Sequence, residues 1–186
     1  MGKIVSNFFM SLDGVVESPD QWHFPYFNDE MGQIIGSAMA TTGAFLMGRR
    51  LYDEWSEYWP PKADDQEFGT FIDNIPKYVV SDSLTKAAWN NTTVLPGDKA
   101  TEALRRLKAE TDGDIMMSGS ATTARWLFAE GLLDELRLLV HPIAVGHGQR
   151  LFDATPTHPL RLIQSSTLST GVLYLTYAPD PSPPTA

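Results

Sequence analysis

Short apolar runs alternating with segments of helical periodicity constrain this chain most, because a strand buried on both faces is covered by the helices that link it to parallel neighbours. Lys3 to Met10 reads as a first strand, and Ser11-Leu12-Asp13-Gly14 as the turn after it. From Asp29, the apolar residues Met31, Ile34, Ile35, Ala38 and Met39 recur with the spacing of one helix face. Ala44 to Met47 is a buried strand, and Arg49 to Trp59 a helix stopped by Pro60-Pro61.

The pattern repeats further on. After an acidic connector and a helical stretch around Phe68, Phe71 and Ile72 come strands at Lys77 to Val80 and Thr93 to Leu95. Ala100, Ala103, Leu104 and Leu107 mark a helix, and Asp114 to Met117 a strand. Ser118-Gly119-Ser120 opens the next helix, which Gly131 closes. Leu136 to Val140 is a strand, Pro142 to Arg150 a Gly-rich connection, and Leu160 to Ser166 with Val172 to Tyr177 a closing hairpin around Thr170-Gly171. The expected fold is α/β: a mixed, mainly parallel sheet with helices on both faces and a C-terminal antiparallel hairpin. One domain over 1–178 and a disordered Pro-rich tail over 179–186 are expected.

Composition narrows the function. A formal net charge of −9 argues against general nucleic-acid binding, so an anionic small molecule needs a local basic site. The chain has no cysteine, which excludes disulfides, thiolate catalysis and Cys-based metal sites. No apolar run approaches the roughly 20 residues of a membrane span. The first residues lead into a strand without the apolar region of a secretory signal, so a cytoplasmic location is expected.

Two strand-to-helix junctions stand out, Met47-Gly48-Arg49-Arg50 and Met117-Ser118-Gly119-Ser120. Each offers helix N-terminal N–H groups to an anion, and Arg49 and Arg50 add guanidinium forks matched to phosphate oxygens. Small residues at Gly119, Ser120 and Ala121 let a pyrophosphate approach the backbone. Ordinary helix starts, with solvated arginines at the first, are the competing readings. Ser81-Asp82-Ser83 falls on the same carboxyl edge. There is no P-loop or complete Rossmann fingerprint, and the four histidines lack metal-site spacing, so no metal is expected. Asp13 fits a turn former as well as an acid.

In this order and spacing, Met10-Ser11-Leu12-Asp13-Gly14, Met47-Gly48-Arg49-Arg50-Leu51-Tyr52, Val79-Val80-Ser81, Ser118-Gly119-Ser120, Glu130 to Leu136, and Pro142 through Gly146-His147-Gly148 to Phe152 resemble the dihydrofolate reductase-like superfamily. Similarity is greatest to the reductase domain of the bifunctional riboflavin-biosynthesis deaminase-reductase. The resemblance implies a dihydrofolate reductase-like fold and an NADPH-dependent reductase. Gly14, Gly48, Arg49, Arg50, Leu51, Ser81, Ser118, Gly119, Ser120, Ala121 and Thr122 would lie on the cofactor. Asp13 becomes the candidate catalytic residue, with Leu12, Trp22, Phe27 and Tyr52 on the substrate side. A homodimer acting on a small-molecule substrate is implied.

Departures from the family pattern matter. Phe27 stands where dihydrofolate reductases carry their pterin-binding carboxylate, which argues against folate reduction. Asp29, two residues on, is turned through about 200° on a helix. Leu51 replaces a threonine, and Ser118-Gly119 a glycine pair. The chain also lacks the zinc-binding deaminase half. Riboflavin-pathway reduction of a phosphoribosylamino-pyrimidine is therefore the nearest named activity, on a small heterocyclic or carbonyl-type substrate. A non-catalytic NADPH-binding protein that keeps the fold is the alternative.

Overall fold

Ala44, Phe45, Leu46 and Met47 are each no more than 2% exposed, as a strand must be when both faces of its sheet are covered. The computed structural model describes residues 1–64 and 67–180. Its strands are β1 (Ile4–Ser11), β2 (Thr42–Gly48), β3 (Lys77–Val80), β4 (Thr92–Leu95), β5 (Asp114–Ser118), β6 (Glu135–His141), β7 (Leu160–Thr167) and β8 (Leu173–Pro179). The helices are α1 (Asp29–Ala40), α2 (Arg49–Tyr58), α3 (Glu67–Asn74), α4 (Gly97–Glu110) and α5 (Ala121–Ala129).

All eight strands form one sheet, ordered β4-β3-β2-β5-β1-β6-β8-β7. The pairings from β4 to β6 are parallel, and β8 is antiparallel to both β6 and β7. Parallel pairing puts the carboxyl ends of β1, β2, β3, β5 and β6 on one edge. Insertion of β5 between β2 and β1 sets the two glycine-bearing junctions side by side.

Side-chain alternation divides the core. Ala44 and Leu46 join Ile4, Phe8, Ile115 and Met117 beneath α4 and α5. On the other face, Phe45, Met47 and Met116 pack with Leu51 and Tyr52 of α2 and Ile72 of α3. Beside them Met31 of α1 packs on Leu139, with Phe9 and Tyr174 against this cluster.

The expected architecture is present, with local differences. β8 extends to Pro179, which pairs with Leu160 at the end of the ladder, where a missing N–H is tolerated. The Asp180 N–H donates to the Pro159 carbonyl at 2.9 Å. Residues 65–66 of the acidic connector and 181–186 of the Pro-rich tail lie outside the described residues. Two short 3₁₀ turns, Pro19–Gln21 and Phe24–Tyr26, fill the connection from β1 to α1, each with a proline in its first turn.

Candidate active site at the carboxyl edge

Gly48 is the N-cap of α2 and Ser120 the N-cap of α5, and neither helix has a side-chain cap. Ser120 Oγ instead accepts the Gly48 N–H at 3.1 Å, tying the two junctions together. A Cβ on Gly48 would lie 2.5 Å from Thr123 Oγ1, so any larger residue would have to displace that hydroxyl. Gly119 has φ +73°, with Leu51 packed against its open side. Two uncapped helix starts, joined at their tips, leave first-turn N–H groups directed at one place.

The arginines reach this place already paired. Arg49 Nε donates to both Asp53 carboxylate oxygens at 2.7 and 2.8 Å, and its Nη1 donates to Ser83 Oγ at 3.3 Å. Arg50 donates to Glu54 and to Glu17, both at 3.1 Å. Ser81 Oγ accepts the N–H groups of Ser83 and Leu84, so it shapes the turn that presents Ser83. These pairs are exposed and exchangeable for a phosphate. The residues therefore fit a polyanionic dinucleotide: backbone donors at two helix starts, and two guanidiniums with a serine beside them.

Asp13 is held on both of its carboxylate oxygens. One of its oxygens accepts Ser11 Oγ–H at 2.7 Å and the Val145 N–H at 2.9 Å, and the other accepts the Gly146 N–H at 2.8 Å. Arg150 Nε donates to the Asp13 carbonyl at 3.0 Å. These hydrogen bonds, Ser11's above all, hold its carboxyl far below the usual carboxylate range. It is an anion at neutral pH and cannot donate a proton. What it does is clamp the turn after β1 to the connection after β6. Gly14, at φ +85°, completes that turn, its carbonyl accepting the Leu151 N–H at 3.0 Å.

Tyr52 faces inward. It is 4% exposed under α2, and its hydroxyl accepts the N–H groups of Ala88 and Trp89. Leu51 and Ala121 are also buried, leaving only their backbone for a ligand. Thr122 is exposed, with Arg125 and Gln149 donating to its hydroxyl at 3.4 Å. Ser118 is the last residue of β5 and Leu12, 70% exposed, sits in the turn after β1.

Trp22 and Phe27 belong to an aromatic wall centred on two histidines. His23 stacks on Phe9 at 4.5 Å, and His141 meets Trp22 edge-on at 5.2 Å. His141 is fully buried, with Nδ1 bonded to the Leu139 carbonyl and Nε2 unpartnered. Burial lowers both histidines from their ordinary 6.5. The native state therefore binds fewer protons than the unfolded chain, and its stability is full above about pH 6.5 and falls as pH drops below it. Thermal unfolding at pH 7.0 and 5.5 checks this: the midpoint drops on acidification, and His141→Gln reduces the drop.

Glu17, Gln149 and Asn7 are absent from the sequence-based site, and Ser83 enters it only within Ser81-Asp82-Ser83. Glu17 accepts the Gln149 N–H at 2.8 Å besides its bond to Arg50, which joins three separate segments at the mouth. No local motif signals such a long-range contact.

The chain is similar to several known proteins. The uncharacterized protein YyaP of Bacillus subtilis is 27% identical over 180 residues, which cover 94% of each chain. A putative riboflavin biosynthesis protein from Shewanella superposes with a TM-score of 0.75 at 20% identity, covering 96% of this chain and 99% of the other. Dihydrofolate reductase from Enterococcus faecalis, solved in complex with NADP(H), superposes with a TM-score of 0.62 at 12% identity, covering 96% and 97%. At these identities the structural matches show a shared dihydrofolate reductase-like fold. The family model of the RibD C-terminal domain matches residues 2–174, nearly the whole sheet together with both junctions, and the chain belongs to that family.

Proposed function

We propose that the chain is an NADPH-dependent reductase acting on a small heterocyclic or carbonyl-type substrate, with riboflavin-pathway reduction as the nearest named activity. One observation carries the reading: two uncapped helix starts, cross-linked through Ser120 and Gly48, share an edge with Arg49, Arg50 and Ser83. Arg49 and Ser83 suit the 2′-phosphate, and the backbone from Gly119 to Thr122 suits the pyrophosphate. These residues would hold NADPH, which when bound would supply a hydride to the carbon of a C=N or C=O group, the proton for the nitrogen or oxygen coming from solvent or another acid. The chain's own work is positioning: Gly119 admits the backbone approach, Leu51 supports it from below, and Asp13 fixes the turn at the substrate end. Held as an anion by its hydrogen bonds, Asp13 is proposed as a positioning residue and not as the proton source.

That last observation favours one second reading, a non-catalytic NADPH-binding protein. The assay is loss of NADPH absorbance over a panel of pyrimidines, pterins and carbonyl compounds. Turnover of any one eliminates the non-catalytic reading; NADPH binding with none supports it.

A homodimer is proposed as well. β7 is an edge strand carrying Leu162 and Ile163 at 49% and 48% exposure, a surface that a second chain would cover. Light scattering at micromolar concentration should give twice the chain mass of 20.6 kDa, and the single-chain mass would contradict it.

A further inference from the structure

We propose that the carboxyl ends of β1 and β5, on the sheet face that carries α1 and α2, take a planar, neutral or cationic heterocycle with a carbonyl or amide edge and no phosphate. This deepens the reductase reading and rests on it for the location of the site. Asn7 of β1 and Ser118 of β5 are Cα partners. Alternation puts Asn7 on the same face as Phe9, which packs against the α1 cluster, and Ser118 on the same face as Met116, which packs in the α2 cluster. This part of the sheet face is therefore polar within apolar surroundings. Asn7 Nδ2 is buried there without a hydrogen-bond partner, a donor whose desolvation is uncompensated. A ligand carbonyl would satisfy it.

The wall is aromatic. Beyond the Phe9–His23 stack, the Phe24 ring lies 4.2 Å from His23, and Phe24 and Phe27 are 64% and 47% exposed. Exposed rings grouped this way suit a flat ligand.

Charge decides against phosphate. From Ile4 to Gly48 there is no Lys or Arg, whereas Asp13, Glu17, Asp20, Asp29 and Glu30 all fall there. The cations that approach from elsewhere are fewer than these carboxylates, and each already neutralises a carboxylate. Arg150 lies 3.6 Å from the Asp13 carboxylate, Arg137, the other Cα partner of Asn7, is held by Glu135 and Asp114, and Arg50 is held by Glu17 and Glu54. A phosphate dianion on the substrate would meet a net excess of carboxylate charge even if one of these pairs opened for it. This separates the chain from reductases whose substrate is a phosphoribosylamino-pyrimidine.

Calorimetry with two matched pairs, uridine with uridine 5′-phosphate and riboflavin with riboflavin 5′-phosphate, tests the proposal without requiring turnover. Each titration is repeated on the Arg49→Ala/Arg50→Ala variant, which removes phosphate partners outside this surface. The neutral member of at least one pair should bind about tenfold tighter than its phosphate. Asn7→Leu should weaken that neutral ligand about tenfold and leave NADPH affinity unchanged. Asp20→Lys with Asp29→Lys, both exposed, should narrow the discrimination without touching the core. Equal or tighter binding of the phosphates, no binding of either neutral probe, or an unchanged neutral affinity in Asn7→Leu overturns it. Loss of NADPH binding with these results intact would sink the cofactor reading alone.

Discussion

Replacing Arg49 and Arg50 together by alanine weakens NADPH about a hundredfold or more and NADH less than about tenfold, because charge-assisted bonds to a phosphate dianion are among the strongest available at a surface. The local charge balance amplifies the loss. Two guanidiniums now stand against Asp53, Glu54 and Glu17. Without them, three carboxylates face the incoming phosphates alone. Stability changes little, since exposed pairs contribute little to folding. Calorimetric titration of both cofactors against wild type and variant checks the expectation. Equal losses for NADPH and NADH would mean that the arginines do not meet the 2′-phosphate.

The largest stability effect is expected at Lys77. Its side chain is fully buried at the start of β3, and Nζ donates to the carbonyls of Ile72, Asp73 and Ile75 at 2.8, 2.9 and 3.0 Å. Trp89 lies 4.7 Å beneath the ammonium. Burial pushes its pKa down to about 8, so it remains charged at neutral pH, and only the ammonium form carries three donors. It closes the C-terminal end of α3, whose last carbonyls lack helical partners. Lys77→Met keeps most of the volume but strands three acceptors, at about 1 kcal/mol each. The expected loss is roughly 3 kcal/mol, a fall of about 6–12 °C in the unfolding midpoint for a chain of this size. Thermal unfolding measures it; an unchanged midpoint would show that water solvates these carbonyls equally well.

The elements that place the site were legible where local pattern determines structure. A strand buried on both faces followed by an amphipathic helix starting at Arg49 is one such case, and the Gly119 junction is another. Strand order was not legible. Several apolar runs are interchangeable by pattern, and only their three-dimensional fit places β5 between β2 and β1.

Asp13 shows the same limit at the level of one side chain. A turn aspartate near an active-site edge reads alike whether it transfers protons or accepts backbone bonds, and its decisive partners, Val145 and Gly146, are 132 and 133 residues away. Helical periodicity also left the role of Tyr52 open. The buried face of α2 turns it inward, and its hydroxyl is satisfied by the connector after β3 rather than by a ligand. Glu17 lies 33 residues from Arg50, with no motif to announce the pairing.

The most direct test of the account is titration of the wild-type chain with NADPH, followed by quenching of tryptophan fluorescence and by calorimetry. Saturable binding that is tighter for NADPH than for NADH is predicted. Absence of saturable binding at millimolar NADPH would contradict the central claim, that the paired helix starts at Gly48 and Ser120 form a dinucleotide site.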